Sequence, residues 1–279
     1  MTLLEFSAVV FAGSVTAGLL GSLTGLGGGI VVIPLLTLGF GVDIRYAAGA
    51  ALVSVIATSS GAASSYVKEG YSNLRIGMFL EVATTSGAVA GALLAADLPE
   101  SAISLLFGVV LLLSSALSLR EPARGDDGAA SDPIARRLRL DGTYPSPEGR
   151  IAYHVHGTKT AFGLMFVAGS LSGLLGIGSG AVKVLALDRA MGLPFKVSTT
   201  TSNFMIGVTA AASAGIYLAR GYIDPGLAMP VMLGVLVGAL VGARLLARVE
   251  SRSLRVLFAA VIALLGLQMI HGGISGSPP

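Results

Sequence analysis

The chain has 279 residues, of which 53% are hydrophobic and 12% are charged, and its mean hydropathy is +0.83. This balance excludes an ordinary soluble domain and predicts a multi-pass protein of the cell membrane, in contact with the lipid bilayer. The net charge of +3 could suit nucleic acid, but the basic residues lie at the ends of apolar runs, as the positive-inside rule describes, so no nucleic-acid partner is expected.

Apolar runs able to cross a bilayer core of about 30 Å follow one another along the chain. The first, Phe6 to Ile44, contains the glycine cluster GLGGG at residues 25–29. Because no basic region precedes it, we interpret it as a membrane segment and not a signal peptide. A short segment, Ile30 to Phe40, follows the glycines. Three longer runs complete the first half: Tyr46 to Val67, Val82 to Ala96 and Ser101 to Leu119.

A polar linker follows, since 13 of the 33 charged residues lie between Arg120 and Lys159. Residues 121–133 are rich in Gly, Asp, Ala and Pro and are predicted to be flexible. Beyond them, apolar residues alternate with period two on either side of a turn near SPEG, which predicts a small cytoplasmic β-hairpin. The alternating residues are Leu138, Leu140, Ile151, Tyr153 and Val155.

Two histidines, His154 and His156, lie on the other side of the second predicted strand. Two imidazoles at this spacing could contribute to a metal site, but no third ligand is near. We therefore interpret both as solvated strand residues and expect no metal.

The second half repeats the pattern of the first. The run Thr160 to Val182 contains a second cluster, GIGSG, at residues 176–180, and a short segment, Ala181 to Met191, follows it. Three further runs complete the half: Val197 to Ala219, Pro225 to Ala243 and Val256 to Ile270.

A shift of 151 residues aligns the two halves without a gap. It pairs the glycines of the two clusters, and it pairs Arg45 with Lys196, Tyr66 with Tyr217 and Tyr71 with Tyr222. Paired tyrosines in one long register indicate an internal duplication. The predicted divisions are an N-terminal membrane repeat at 1–119, a cytoplasmic linker at 120–157 and a C-terminal membrane repeat at 158–279.

Equivalent loops of the two halves carry opposite charge. Asp97 and Glu100 bound a loop without Lys or Arg, whereas its counterpart carries four arginines between Arg244 and Arg255. By the positive-inside rule the halves are predicted to be inverted, with the linker and the arginine loop cytoplasmic and both termini outside. The predicted fold is an all-α polytopic membrane protein of two inverted-topology repeats. Each repeat has a Gly-rich broken helix or hairpin, which the sequence leaves open as re-entrant or crossing, plus three membrane-spanning helices.

The glycine clusters interrupt membrane segments, and a broken helix in hydrocarbon is stable only inside protein or beside a water-filled cavity. In transporters, half-helices whose N-terminal ends meet near the midplane bind anions with free N–H groups. We therefore predict one substrate site made from both clusters: Gly27, Gly28, Gly29, Gly178, Ser179 and Gly180. Helix contact is the alternative role for membrane glycines, and we assign it to GAVAGA at residue 87 and GALVGA at residue 238.

Polar side chains near the breaks extend the predicted site. Lys183 would attract the anion, with a structural ion pair to Asp188 as the alternative. Hydroxyl and amide groups can replace water around an oxyanion without adding negative charge. The chosen residues are Thr58, Ser59, Thr201, Ser202 and Asn203. Glu81 is a candidate for a coupling proton, although it could equally reach the membrane interface.

Catalytic motifs are missing from the sequence. There is no cysteine, no His-Glu-x-x-His, no Ser/His/Asp set in the spans, and GLGGG lacks the Lys-Ser/Thr of a nucleotide-binding P-loop. The chain is predicted not to be an enzyme and to need no cofactor.

These motifs resemble the TauE/SafE family of sulfite exporters, which carry a Gly-rich element early in each half. The resemblance rests on GLGGGIVVIPLL from Gly25, GIGSGAVKVLAL from Gly176 and GLPFKVSTTTSNFMIG from Gly192, and it covers nearly all of both halves. Ser179 stands where the family has glycine, and Leu185 stands where Pro34 supplies proline in the first half, so the second hairpin departs from the family pattern at two positions.

The resemblance implies export or import of small sulfur-containing or organic anions, such as sulfite or organosulfonates, driven by an ion gradient. Together with the repeat it predicts a secondary transporter that works by alternating access. The alternatives are an anion channel and a membrane-anchored scaffold that docks partners through its linker. The substrate, the direction, the coupling ion and the oligomeric state, a homodimer being one option, stay open.

Overall fold

The computed structural model describes residues 3–24, 28–68, 70–118, 131–146, 149–246 and 251–275. Some predictions lie outside these ranges. They are the role of Gly27, the flexibility of the linker as far as residue 130, and most of the arginine loop that follows Arg244.

Within the described ranges the first half contains five helices. They follow the predicted apolar runs, except that α4 begins at Leu74, well before the predicted start at Val82. The helices are α1 (Leu3–Thr24), α2 (Gly29–Phe40), α3 (Ile44–Lys68), α4 (Leu74–Leu94) and α5 (Glu100–Ser118). The short α2 ends because Gly41 adopts a left-handed φ of 62°. Its N–H donates to the Thr37 carbonyl, and the N–H of Val42 donates to the Leu36 carbonyl, each at 3.1 Å.

The linker and the second half follow in the same manner. The linker holds α6 (Pro133–Leu138), β1 (Gly142–Ser146) and β2 (Gly149–Tyr153), and the second half holds α7 (Thr158–Leu175), α8 (Gly180–Leu185), α9 (Phe195–Ala219), α10 (Pro225–Leu246) and α11 (Ser251–Ser275). A π-helical turn, Ala186–Ala190, continues α8, so the predicted short segment divides into two helix types directly after Leu185. Such turns often accompany functional sites.

The predicted β-hairpin is confirmed. Strands β1 and β2 pair antiparallel, with Tyr144 opposite Ile151. Leu140, Tyr153 and Val155 are buried, as the alternation predicts, whereas Leu138 and Ile151 are each 43% exposed. The short helix α6, which precedes the hairpin, was not predicted.

Three helices are long and apolar enough to cross a membrane within the described ranges: Leu74–Leu94, Thr158–Leu175 and Phe195–Ala219. Six more apolar helical stretches of 10–17 residues accompany them. The protein is therefore a multi-pass helical membrane protein.

Glycines bring two helix pairs into close contact. Gly87 of α4 lies against the carbonyl of Phe166 in α7, and Gly169 of α7 lies against the carbonyl of Thr84. The positions 151 residues away make the same contacts between α10 and α1. There, Gly238 meets the carbonyl of Val15, and Gly18 meets that of Val235. The contact role predicted for Gly87 and Gly238 is confirmed, since a side chain would keep the helices apart.

Helices α3 and α9 pack against each other and run in opposite directions. Asn73, just beyond the end of α3, donates its N–H to Thr201 near the start of α9 at 3.1 Å. At the other end, Tyr222 follows α9 and its ring packs against Tyr46 near the start of α3, with ring centres 5.7 Å apart. The end of each helix therefore lies beside the start of the other.

The linker is docked against helices of both halves. The amide of Asn73 donates to the Leu140 carbonyl at 2.9 Å and to the Tyr153 hydroxyl at 2.8 Å. Asp132 accepts from the Ala135 N–H of α6 and from the N–H and hydroxyl of Thr158, and so caps both α6 and α7.

The histidine prediction is half right. The His154 side chain is 60% exposed beside Asp141, with 3.8 Å between Nδ1 and Oδ2. His156, in contrast, packs its ring on Gly192, and its Nδ1 is buried without a hydrogen bond in the described part of the chain. The expectation that both are solvated is therefore wrong for His156, because docking of the linker seats its ring on Gly192. Both histidines also follow the end of β2 at Tyr153.

Candidate functional site

The second glycine cluster forms a sharp turn between α7 and α8. Gly176 and Gly178 have φ values of 72° and 70°, and Ser179, with φ of 46°, immediately precedes α8. Only glycine adopts this region without strain, which explains the cluster. Ser179 is 3% exposed, and its hydroxyl makes no hydrogen bond within the described ranges.

The first cluster is described from Gly28 onward. The Gly28 carbonyl accepts the N–H groups of Val31 and Val32, and α2 begins at Gly29. A side-chain carbon at Gly28 would lie 2.6 Å from Val235 Cγ1. The start of α2 is thus closely packed against α10.

The two breaks lie next to each other. A side-chain carbon at Gly29 would lie 3.0 Å from Val55 Cγ2 and 3.5 Å from the Gly176 carbonyl oxygen. One at Gly178 would lie 2.9 Å from Ile206 Cγ2 and 3.3 Å from Val55 Cγ1. Val55 and Ile206 are 151 residues apart and lie near the middle of α3 and α9. The two breaks are therefore in close contact beside the middle of these helices.

Lys183 is fully buried one turn into the segment after the second break. Its Nζ donates to Thr209 Oγ1 of α9 at 2.6 Å. The same Thr209 oxygen lies 2.7 Å from Oε1 of Glu81, which is on α4 of the other half. Asp188, the alternative partner predicted for Lys183, lies 3.9 Å from Arg189.

Glu81 is 8% exposed and also accepts from the Thr85 hydroxyl at 3.1 Å. Its Oε1 also accepts from the Thr209 hydroxyl. Glu81 lines a groove of about 690 Å³ between α4 and α9. The other lining residues are Met78, Val82, Thr85, Ser86, Val89, Phe204 and Val208. Met78 and Val82 are 67% and 65% exposed, so the groove opens away from the core.

The hydroxyl residues predicted on α9 occupy different places. Ser202 is buried, and its hydroxyl donates to the Gly180 carbonyl at 3.5 Å, so it adjoins the second break. Thr201 accepts from Asn73 at the α4–α9 contact. Asn203 is half-buried. Ser202 is thus the predicted hydroxyl that the structure brings to the glycines.

In the first half, Thr58 bonds back to its own helix, with 3.0 Å from its hydroxyl to the Ser54 carbonyl. Ser59 is 6% exposed and packs against Gly207 of α9. These two residues therefore lie along α3, one turn beyond Val55.

Thr209 was not among the predicted residues, although it joins Lys183 to Glu81. A signal existed in the sequence, because Thr209 lies 151 residues after the predicted Thr58. Its surroundings, GVTAAAS, consist mostly of small residues and form no recognisable polar motif.

A family model described as sulfite exporter TauE/SafE matches residues 10–269. The chain is similar to the probable membrane transporter protein YunE of Bacillus subtilis (strain 168), with 27% identity over 97% of this chain and 99% of that protein. It is also similar to the probable membrane transporter protein YdhB of the same organism, with 30% identity over 78% of this chain and 81% of that protein. A third relative, the probable membrane transporter protein MJ0441 of Methanocaldococcus jannaschii, is 23% identical over 91% of both chains. No solved structure matches the chain.

Proposed function

The chain belongs to the sulfite exporter TauE/SafE family and is a membrane transporter, and from this premise we propose that it carries small anions, with sulfite and organosulfonates as the first candidates. The anion would bind where the two breaks meet, between the segments at Gly28 and Gly29 and at Gly178 to Gly180.

The observation that carries this proposal is the position of Lys183. It is 0% exposed, and it follows the second break by three residues. A lysine in the apolar part of a membrane protein is costly and is typical of an ion or substrate pathway. The buried hydroxyls of Ser179, within the break, and of Ser202, which lies against the Gly180 carbonyl, add neutral donors at the break. A cation with neutral donors favours a small anion over a cation or an apolar solute.

The proposed transport mode is alternating access between two inverted repeats. Three observations support inversion: α3 and α9 run in opposite directions, the α4–α7 contacts recur between α10 and α1, and equivalent cations stack on equivalent rings of the other half. In the last case, Arg45 lies 6.0 Å from the Tyr222 ring centre and Lys196 lies 5.5 Å from that of Tyr71. A two-fold axis in the membrane plane would relate such halves.

Alternating access requires the close contacts at the breaks to open. Val55 and Ile206 fill the space beside Gly178. We propose that these two side chains separate when an anion enters, and that the halves tilt about α3 and α9. The linker, which binds Asn73 and the start of α7, would lie on the cytoplasmic side. Glu81 is the proposed carrier of a coupling proton.

Uptake into proteoliposomes tests the proposal. Vesicles with the purified protein would be offered labelled sulfite, short alkanesulfonates, sulfate and short carboxylates. We expect saturable uptake of sulfite or a sulfonate, competition among accepted anions, and counterflow from preloaded vesicles. Uptake that never saturates would favour a channel. Failure to carry any of these anions would refute the proposal.

A further inference from the structure

The hydroxyl of Thr209 stands between two buried side chains of opposite charge that come from opposite halves of the chain. Lys183 Nζ lies 2.6 Å from Thr209 Oγ1, and Glu81 Oε1 lies 2.7 Å from the same atom. A hydroxyl has one proton to donate. Thr209 therefore accepts from Lys183 and can donate to Glu81, and it also has the Met205 carbonyl within reach at 2.8 Å.

Glu81 acts here as an acceptor. Its Oε1 accepts from Thr85 as well as from Thr209, and its Oε2 is buried without a hydrogen bond in the described part of the chain. A hydrogen on Oε2 would therefore displace no hydrogen bond of the described residues.

Among the described residues, Lys183 is the cation that Thr209 joins to Glu81, and the other charged groups on the elements around α4 have contacts of their own. Lys159 and Lys196 lie at the starts of α7 and α9, and Lys196 stacks over Tyr71. Arg75 of α4 itself donates to the Arg139 carbonyl of the linker at 3.2 Å. After α8, Asp188 lies 3.9 Å from Arg189. Lys183 and Glu81, which Thr209 joins, thus balance each other's charge.

We propose that anion binding beside Lys183 and proton binding on Glu81 are linked through Thr209, with one proton taken up for each monovalent anion. This inference rests on the proposed function. An entering anion adds a negative charge to a buried pair that is already neutral, and an uncompensated buried charge is expensive. A proton on Glu81 Oε2 removes the excess, and Thr209 then turns its own hydrogen from Glu81 to the Met205 carbonyl.

The equivalent positions of the first half do not repeat the charged pair of Lys183 and Glu81. The positions equivalent to Lys183, Thr209 and Glu81 are Val32, Thr58 and Met232. The hydroxyl recurs in the first half, but both charges are replaced by apolar side chains. The stoichiometry is therefore one proton and one anion per chain.

Proton uptake on anion binding tests the linkage directly. Purified protein in detergent and weak buffer near neutral pH receives ethanesulfonate, which has no titrating group of its own there. Bound label and the colour of a pH indicator are recorded together. We expect one proton per bound anion. Binding without proton uptake would overturn the linkage and leave the transporter proposal standing, whereas absence of binding by both ethanesulfonate and sulfite would overturn both.

Variants separate coupling from folding. Glu81→Gln should bind the anion without taking up a proton, and its binding should no longer depend on pH. Thr209→Val should take up clearly less than one proton per anion, and Thr209→Ser should restore the wild-type value. Ser213→Ala, which removes a buried hydroxyl one turn further along α9, is the matched control. Proton uptake by Glu81→Gln, or identical stoichiometry in Thr209→Val and the wild type, would overturn the inference. Thermal unfolding and gel filtration check that each variant is folded.

Discussion

The guanidinium of Arg45 lies 6.0 Å from the centre of the Tyr222 ring, and it also donates to the carbonyls of Ala95 and Leu98 at 3.3 and 2.6 Å. Arg45 belongs to the first half and Tyr222 to the second. The equivalent pair, Lys196 and Tyr71, is joined by the ring contact at 5.5 Å. Two equivalent cation–π contacts thus hold the halves together at opposite ends of α3 and α9. They differ in the hydrogen bonds that the cation also makes.

This difference predicts unequal losses of stability. Arg45→Ala should cost about 2–3 kcal/mol, because it removes charged hydrogen bonds as well as the cation–π contact. Lys196→Ala should cost about 0.5–1 kcal/mol, since an exposed cation–π contact is the main loss. Thermal unfolding in detergent measures both. Equal shifts in Tm would contradict the account of this interface.

Inverted repeats predict that equivalent positions face opposite sides of the membrane. Leu74 and Pro225 begin α4 and α10, are exposed, and are 151 residues apart. Since the chain has no cysteine, Leu74→Cys and Pro225→Cys each give a single reactive thiol. In intact cells we expect a membrane-impermeant maleimide to label the Pro225 variant. The Leu74 variant should react only after permeabilisation, like Arg150→Cys in the linker. Labelling of both from one side would refute inversion.

The turn at the second break predicts substitutions of opposite effect. Gly178→Ala should destabilise the fold by about 2–4 kcal/mol, because φ is 70° and the new carbon would lie 2.9 Å from Ile206. Ser179→Gly should leave stability unchanged or raise it by up to about 1 kcal/mol, because it relieves a φ of 46° and removes no hydrogen bond in the described ranges. Chemical denaturation compares them. A destabilised Ser179→Gly would show that its hydroxyl has a structural role.

The lowered pKa of Asp132 predicts how docking of the linker depends on pH. Burial raises its pKa, but the bonds from Ala135 and Thr158 outweigh burial, so the pKa lies below its ordinary value. Because its pKa is lower in the folded state, the carboxylate stabilises that state at every pH above its unfolded pKa of about 3.9. This contribution is lost as the pH falls through the folded pKa. A fluorophore on Arg150→Cys should report undocking in acid.

Asp132→Asn is the control for this titration. It keeps an oxygen acceptor but has no charge to lose, so docking should be weaker near neutral pH and should change less in acid. The difference between the two curves measures the contribution of Asp132, because Asp141, which accepts from the Val155 N–H within the linker, is present in both proteins. Superimposable curves would show that Asp132 does not control docking.

Local patterns predicted most of the helices. Glycine clusters, apolar run lengths and the 151-residue register placed α2 and the segment after Gly180 within a residue or two, because helix ends follow from chain chemistry near them. The π-helical turn at Ala186–Ala190 was not predicted, since nothing in a five-residue stretch distinguishes it from a helix end.

Contacts between distant elements were harder to predict from the sequence. Lys183 was predicted from its cost in an apolar segment, but its contact with Thr209 depends on how α8 packs on α9. The burial of His156 depends in the same way on docking against Gly192, which period-two alternation does not report. The repeat itself was the best guide to the site, since Thr58 points to Thr209.

Anion binding by a Lys183 variant tests the central claim most directly. Labelled sulfite and ethanesulfonate would be titrated onto purified wild-type protein, onto Lys183→Met, which keeps the volume and loses the charge, and onto Lys159→Met, which loses an exposed charge at the start of α7. We predict saturable binding by the wild type and by Lys159→Met, and affinity at least about tenfold weaker, or about 1.4 kcal/mol, in Lys183→Met. Equal affinity in all three proteins would contradict an anion site at the meeting point of the two breaks.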